Sequence, residues 1–186
     1  MREDNGEVQL SWAVSVADMA EAMTTLTKAG WPPSFLLMYD EAWLLAHQLK
    51  NVVRMTSGNR LLYDFAFFNV GSNLTPTGEV DIVDGASSRG WAPHRDRGQD
   101  DTASAFRNDG TPLYCTTWVA LTEATTYSSC LACVPKRHDP GYSGGDGDEC
   151  DPMGAIMKAS GSSALQYIRA LPVSAGSVIH FSHRLL

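Results

Sequence analysis

The residues best suited to chemistry lie in the segment GWAPHRDRG, residues 90–98. In an extended segment, residues two apart project from the same face, so His94 and Asp96 direct an imidazole and a carboxylate at one point. These are two of the three ligands of a 2-His-1-carboxylate site, which leaves positions on Fe(II) open for oxygen chemistry. Arg95 and Arg97 face the other way, where they can pair with carboxylates or contact substrate. For these residues taken alone, the alternative interpretation is a surface turn with a His–Asp hydrogen bond.

Two helices are predicted before residue 61. Apolar residues at helical spacing predict the first helix from Ser15 to about Ala29, closed by Gly30. Asp40 is the predicted N-cap of the second helix, and Gly58 is its stop signal. The apolar face expected for the second helix consists of Trp43, Leu44, His47, Leu49 and Val53.

Strand signals begin at Leu61. Short segments rich in β-branched and aromatic residues, bounded by Gly, Pro, Asn or Asp, are typical of strands. They are LLYDFAFFNV, PLYCTTWVAL, SCLACV and SVIHFS. Cys130 and Cys133 fall in the third of these segments, where we interpret them as half-buried strand cysteines because no second ligand pair completes a zinc site.

Long connections separate these strands, at residues 71–90, 97–111 and 139–162. They exceed simple hairpin loops, so we expect further strands, a short helix near 152–159, or a lid. The sequence therefore predicts a single domain over 1–186, mainly β with N-terminal helices: a helical layer at 1–60 followed by an antiparallel sandwich or barrel over 61–186.

Composition restricts the class of protein. The chain has 186 residues, of which 44% are apolar and 19% charged, as in globular domains. A net charge of −7 argues against sequence-independent nucleic-acid binding, which needs a cationic surface. No segment reaches the roughly 20 apolar residues that span a bilayer. The start MREDNGEVQL has no apolar signal region, so we expect an intracellular protein that is not secreted and has no membrane or nucleic-acid partner.

The order of three phrases after His94-x-Asp96 resembles the phytanoyl-CoA dioxygenase family of Fe(II)/2-oxoglutarate oxygenases. The family's W-x-A-L-x-x-A phrase is matched by WVALTEA at 118–124. Its G-C-L-x-x-x-P-G-S-H phrase is matched by SCLACVPKRH at 129–138, where Lys-Arg replaces Gly-Ser. The last phrase, a glycine before a hydrophobic strand, begins here at Gly176. The resemblance covers about residues 61–186.

The resemblance implies a double-stranded β-helix, the cupin-like jelly roll. It also implies Fe(II), 2-oxoglutarate and O2 as the reactants that hydroxylate a small molecule, with His94 and Asp96 as iron ligands. The tryptophan at the position of Trp118 lies beside the cosubstrate in this family, and a plain core aromatic is the alternative. Asn69 could reach a cosubstrate carboxylate, although a turn-capping role is the other interpretation.

The third iron ligand is the open point of the resemblance. Family spacing counted from Gly176 places the final His directly after Leu186, and the Arg that pairs with 2-oxoglutarate further on, so we expect a sequence shortened at that end. A second interpretation assigns the ligand to His183 or His180, which face opposite sides of a strand because three positions separate them. Of these two histidines, we retain His183 as the candidate third ligand. A third interpretation is that the chain is a degenerate relative that binds little or no metal.

Three functions follow for the chain. The first, which we favour, is an Fe(II)/2-oxoglutarate-dependent hydroxylase. The second is a catalytically inactive jelly-roll domain that recognises a ligand or partner through the former pocket. The third is a cupin-like metal protein with non-oxidative chemistry. The sequence identifies neither the substrate nor the oligomeric state.

Overall fold

The computed structural model describes residues 12–60, 65–68, 72–74, 80–82, 92–96, 105–128, 130–144 and 151–186. The chain divides into two compact units, each assembled from several segments. The first unit comprises Met1–Gly90, Trp118–Cys130 and Pro172–Ile179. The second unit comprises Trp91–Thr117, Leu131–Leu171 and His180–Leu186.

Helix α1, Val16–Lys28, opens the described part of the first unit. Its N-cap is Ser15, whose hydroxyl accepts a hydrogen bond from the Asp18 backbone N at 3.2 Å and so satisfies one of the unpaired N–H groups of the first turn. Gly30, with φ of +82°, ends the segment. The predicted first helix is confirmed. A 3-10 helix over Pro33–Met38 follows it.

Helix α2, Asp40–Ser57, ends at Gly58 in the left-handed conformation, as predicted. Asp40 is the first helical residue, and Tyr39 occupies the N-cap without a side-chain hydrogen bond. The predicted apolar face is partly wrong, because Trp43 and Leu44 are 46% and 50% exposed. The buried positions recur at helical spacing but lie on a face displaced from the predicted one. They are Ala42, Leu45, Ala46, Leu49 and Val53. His47, placed on the apolar face from the sequence, is exposed.

Apolar packing forms the core of the first unit. Methionines of α1, a leucine of the 3-10 helix and the buried face of α2 make one cluster: Met19, Met23, Leu36, Ala42, Leu45 and Leu49. Val119, Leu121 and Val178 pack against this cluster. Trp12 also packs against the cluster, and its indole N–H donates a hydrogen bond to the Gly176 carbonyl at 2.7 Å.

The described strands form three two-stranded sheets. Strand β1 (Ser72–Leu74) pairs antiparallel with β2 (Val80–Ile82), which confirms extra strands in the connection 71–90. Strands β3 (Cys115–Val119), β4 (Leu131–Cys133) and β6 (Val178–Ser182) confirm three of the predicted segments. In the remaining predicted segment, LLYDFAFFNV, residues 65–68 have no regular secondary structure, and the other residues lie outside the described part of the chain.

The pairing of the later strands sets the frame of the site. Strand β4 pairs antiparallel with β5, Arg169–Leu171. Strand β3 pairs with β6. Ala120 N donates to Ser177 O at 3.0 Å, and His183 N donates to Tyr114 O at 3.1 Å. Both bonds fit one antiparallel register, in which Thr117 faces His180 and Tyr114 faces His183.

Short helices fill the second unit. After the 3-10 helix Lys136–His138 come α3 (Gly141–Gly144), α4 (Pro152–Ser160) and a 3-10 helix over Gly161–Tyr167. Helix α4 confirms the helix predicted near 152–159. Its Ile156 is fully buried in a small cluster with Val134, Ala164 and Leu186.

The described part of the chain therefore combines N-terminal helices with antiparallel strand pairs. Helical residues outnumber strand residues in it, whereas the sequence predicts a mainly β protein. The closed jelly roll that the family resemblance implies stays a prediction. No helix among the described residues has the length and apolar character needed to cross a membrane.

Candidate metal centre

The backbone of Ala92 holds the His94 ring in one orientation. Its Nδ1 lies 2.8 Å from the Ala92 carbonyl oxygen, which can only accept, so Nδ1 carries a proton. In the neutral ring, Nε2 then has the lone pair that binds metals, and a hydrogen bond of this kind fixes tautomer and ring direction in metal sites. The imidazole is 54% exposed and so accessible to an ion from solvent.

Asp96, the second candidate ligand, lies close to His94. Its Oδ1 lies 3.4 Å from His94 Nε2, so the two side chains converge as the alternating pattern predicts. With a neutral His94 ring the two facing lone pairs repel, and a cation between them removes the repulsion. With a protonated ring the same contact is the surface His–Asp pair that the sequence also allows. Ligand distances of about 2.0–2.2 Å for N and O donors allow one ion to contact both atoms. The donor pair therefore fits a first-row divalent metal.

The other oxygen of Asp96 is engaged by strand β3. Thr116 Oγ1 donates a hydrogen bond to Asp96 Oδ2. This bond turns Oδ1 towards His94 and leaves it available. The sequence alone does not indicate this contact, because Thr116 and Asp96 are 20 positions apart.

Arg95 points away from the two candidate ligands, as expected for the residue between them. It is 7% exposed and forms a bidentate ion pair with Asp139, with N–O distances of 2.6 and 2.7 Å. The sequence allowed a carboxylate partner for Arg95 but did not identify it.

His183 lies on the side of the β3–β6 pair that also carries Thr116. Its ring stacks on Tyr114 with centroids 6.0 Å apart and planes 19° apart. Within the described residues, no three His, Cys, Asp or Glu side chains come together as a metal site. The structure thus brings His94 and Asp96 together and does not add His183 to them.

His180 faces the opposite side, as the odd separation from His183 predicts. Its Nδ1 lies 2.9 Å from Thr117 Oγ1, and its buried Nε2 has no hydrogen-bond partner among the described residues. Burial lowers the pKa of His180 from its usual 6.5, because the charged imidazolium loses hydration there.

The remaining predicted residues are less informative. Trp118 is half-buried in β3, and Asn69 lies outside the described residues. Cys130 and Cys133 are free and half-buried, as expected. Burial raises the pKa of the Cys133 thiol, which keeps it in the unreactive thiol form. His138 stacks on Tyr167 with ring centroids 3.9 Å apart, and its Nε2 accepts a hydrogen bond from Arg137 Nε at 2.9 Å.

A comparison with protein families agrees with the motif-based resemblance. The model of the phytanoyl-CoA dioxygenase family matches residues 82–186, more than half of the chain. This span contains His94, Asp96, Trp118 and His183. No curated protein and no solved structure matches the chain. The family match, together with the converging His94 and Asp96, leads to the conclusion that this chain belongs to the phytanoyl-CoA dioxygenase family.

Proposed function

We propose that the chain is an Fe(II)- and 2-oxoglutarate-dependent dioxygenase that hydroxylates a small molecule. The observation that carries the proposal is the 3.4 Å approach of His94 Nε2 and Asp96 Oδ1 inside the span matched by the family. Such an imidazole–carboxylate pair is the core of the facial triad of non-haem Fe(II) oxygenases. The family match also supports a jelly-roll fold for the matched span.

Each residue has a defined task in this proposal. Bound Fe(II), with 2-oxoglutarate and O2, supplies the oxidising power for C–H hydroxylation while 2-oxoglutarate is decarboxylated to succinate. His94 and Asp96 would hold the ion, and the Ala92 carbonyl fixes the neutral His94 tautomer in which Nε2 is the ligand atom. Thr116 turns Asp96 so that one oxygen faces the ion. His183 is the proposed third ligand.

Two further residues are assigned without structural support, Trp118 from the family resemblance and Asn69 from its place at the end of an aromatic segment. Trp118 is the proposed neighbour of the cosubstrate. Asn69 is proposed to bind a carboxylate of 2-oxoglutarate. The connections at 71–90 and 139–162 are the proposed determinants of substrate choice, since loops carry specificity on a shared scaffold.

One observation favours a second function, a catalytically inactive binding domain derived from such an enzyme. Among the described residues, no third metal-binding side chain joins His94 and Asp96. A domain with two ligands would bind iron weakly and could retain only the recognition of a ligand in the former pocket.

Anaerobic titration with Fe(II) and 2-oxoglutarate separates the two functions. The oxygenase gives a weak visible charge-transfer band, because the cosubstrate chelates the metal. His94→Ala and Asp96→Ala should each abolish the band and the turnover of 2-oxoglutarate, while Cys133→Ser should retain both. Turnover that persists in either ligand variant would overturn the proposal. Absence of the band in the unaltered chain would favour the inactive binding domain.

Adjacent threonines of β3 offer a matched pair of variants for the same titration. Thr116→Val removes the donor to Asp96 at nearly constant volume and should weaken Fe(II) binding about 10–100-fold, the usual effect of losing a hydrogen bond to a metal ligand. Thr117→Val changes the same group on the opposite side of the strand and should leave Fe(II) affinity unchanged. Equal affinities in the two variants would contradict the role given to Thr116.

A further inference from the structure

A buried ion pair lies directly behind the candidate ligands. Arg95 donates from Nη1 and Nη2 to the two carboxylate oxygens of Asp139, at 2.6 and 2.7 Å. The two side chains are 1% and 0% exposed. Asp139 Oδ1 also accepts from Gly141 N at 3.1 Å, so the carboxylate is held by the backbone as well.

A second buried arginine completes the cluster. The Arg184 carbonyl oxygen accepts a hydrogen bond from Arg95 Nη1 at 2.5 Å. The Arg184 guanidinium donates to the carbonyl oxygens of Gly141 and Tyr142, at 2.5 and 3.2 Å, and the residue is 1% exposed. We refer to Arg95, Asp139 and Arg184 as the buried arginine cluster.

The positions of this cluster in the sequence connect it to the metal centre. Arg95 stands between His94 and Asp96, and Arg184 directly follows His183. Each proposed ligand is therefore next to an arginine of one rigid group. A bidentate guanidinium–carboxylate pair fixes both distance and angle, whereas an apolar contact fixes neither.

Stability alone is a weak explanation for such a cluster. Transferring ions from water into a protein interior costs more than most buried pairs recover, and apolar residues of similar volume often stabilise a protein equally well. What apolar residues lack is directional bonding, and a metal centre needs its ligands within about 0.5 Å of the productive geometry.

We propose that the buried arginine cluster is a positioning device that holds the segments carrying His94, Asp96 and His183 in register for a divalent metal. The proposal rests on the metal-binding function proposed above. None of the three cluster side chains contacts the ion. The cluster acts through the backbone at positions 94–96 and 183–184, so its loss should change metal affinity and coordination geometry separately from stability.

The test uses Co(II), whose visible absorption reports coordination, added to the metal-free chain. Asp139→Asn keeps the size of the side chain and removes its charge. Arg95→Met/Asp139→Leu replaces both charges by apolar groups and should restore thermal stability to near that of the unaltered chain. Both variants should bind Co(II) about tenfold more weakly, with altered absorption bands, at the lower end of the effect of residues that orient ligands. The control is Arg169→Met, which replaces an exposed arginine of the second unit. It should leave the Co(II) affinity and the absorption bands unchanged.

The outcomes distinguish the two proposals. If the unaltered chain binds Co(II) through His94, and the double variant binds it with unchanged affinity and spectrum, the positioning role is overturned while metal binding stands. If the unaltered chain binds no Co(II), or His94→Ala binds it equally well, both proposals fail. A folded, thermally stable double variant with weakened binding supports the positioning role.

Discussion

The two compact units are stabilised by opposite means. The first unit is held by an apolar cluster in which α1, the 3-10 helix and α2 contribute methionine, leucine and alanine side chains. The second unit has a smaller apolar cluster around Ile156 and buries Arg95, Asp139 and Arg184 besides it. Apolar packing tolerates changes of shape, whereas a buried ion pair demands its geometry. Among the described residues, the unit that carries the candidate ligands is thus the one that buries charged side chains.

The largest effect in this comparison is expected from Asp139→Ala. The change removes the carboxylate that pairs with the buried Arg95 guanidinium and should lower the free energy of unfolding of the second unit by about 3–5 kcal/mol. Urea unfolding measures the loss, and amide hydrogen exchange locates it in the second unit. A loss below about 1 kcal/mol would show that water or another group compensates for the carboxylate.

Leu45→Ala is the corresponding change in the first unit. Leu45 is 6% exposed in the apolar cluster, and its truncation should lower the free energy of unfolding by about 3 kcal/mol through lost burial and a cavity. Amide exchange should increase in α1 and α2. The affinity for Co(II) should equal that of the unaltered chain, measured at a temperature where both the variant and the unaltered chain are folded. Weaker Co(II) binding by Leu45→Ala would show that the two units do not act independently.

This contrast also explains which features the sequence could predict. The ends of α1 and α2 follow from Ser15 and Gly58, because caps act within one helical turn. The opposite directions of Arg95 and its neighbours follow from strand geometry, which is equally local. The burial of the α2 face does not follow, because it depends on which elements cover the helix. Asp139 could not be named as the partner of Arg95, since 44 residues separate the two.

The same limit applies to the candidate site. Two positions of separation suffice to predict that His94 and Asp96 converge, and an odd separation suffices to predict that His180 in β6 and His183 just after it face opposite sides. The Thr116–Asp96 hydrogen bond joins segments whose approach only the tertiary structure determines. Phrases that a family shares therefore predict the type of chemistry, while the contacts that orient the ligands require coordinates.

The smallest expected effect concerns pH and belongs to the second unit. Burial lowers the pKa of His180 below 6.5, so the unfolded chain takes up a proton at a higher pH than the folded chain does. The stability contributed by the neutral, buried His180 is fully present above about pH 6.5. It is lost as the pH falls from there through the lowered pKa of the folded state. His180→Gln cannot titrate, so its free energy of unfolding should decrease less between pH 7.5 and 5.5. Urea unfolding of the metal-free protein at both pH values measures the difference.

Thr117→Val provides the matched control for this pH effect. It removes the hydroxyl beside His180 Nδ1 but keeps the imidazole buried. Because desolvation lowers the pKa of His180, the acid-side loss of stability should persist in Thr117→Val and shrink only in His180→Gln. Equal losses in His180→Gln and the unaltered chain would show that His180 is hydrated in solution. In that case only the buried arginine cluster would distinguish the interior of the second unit from that of the first.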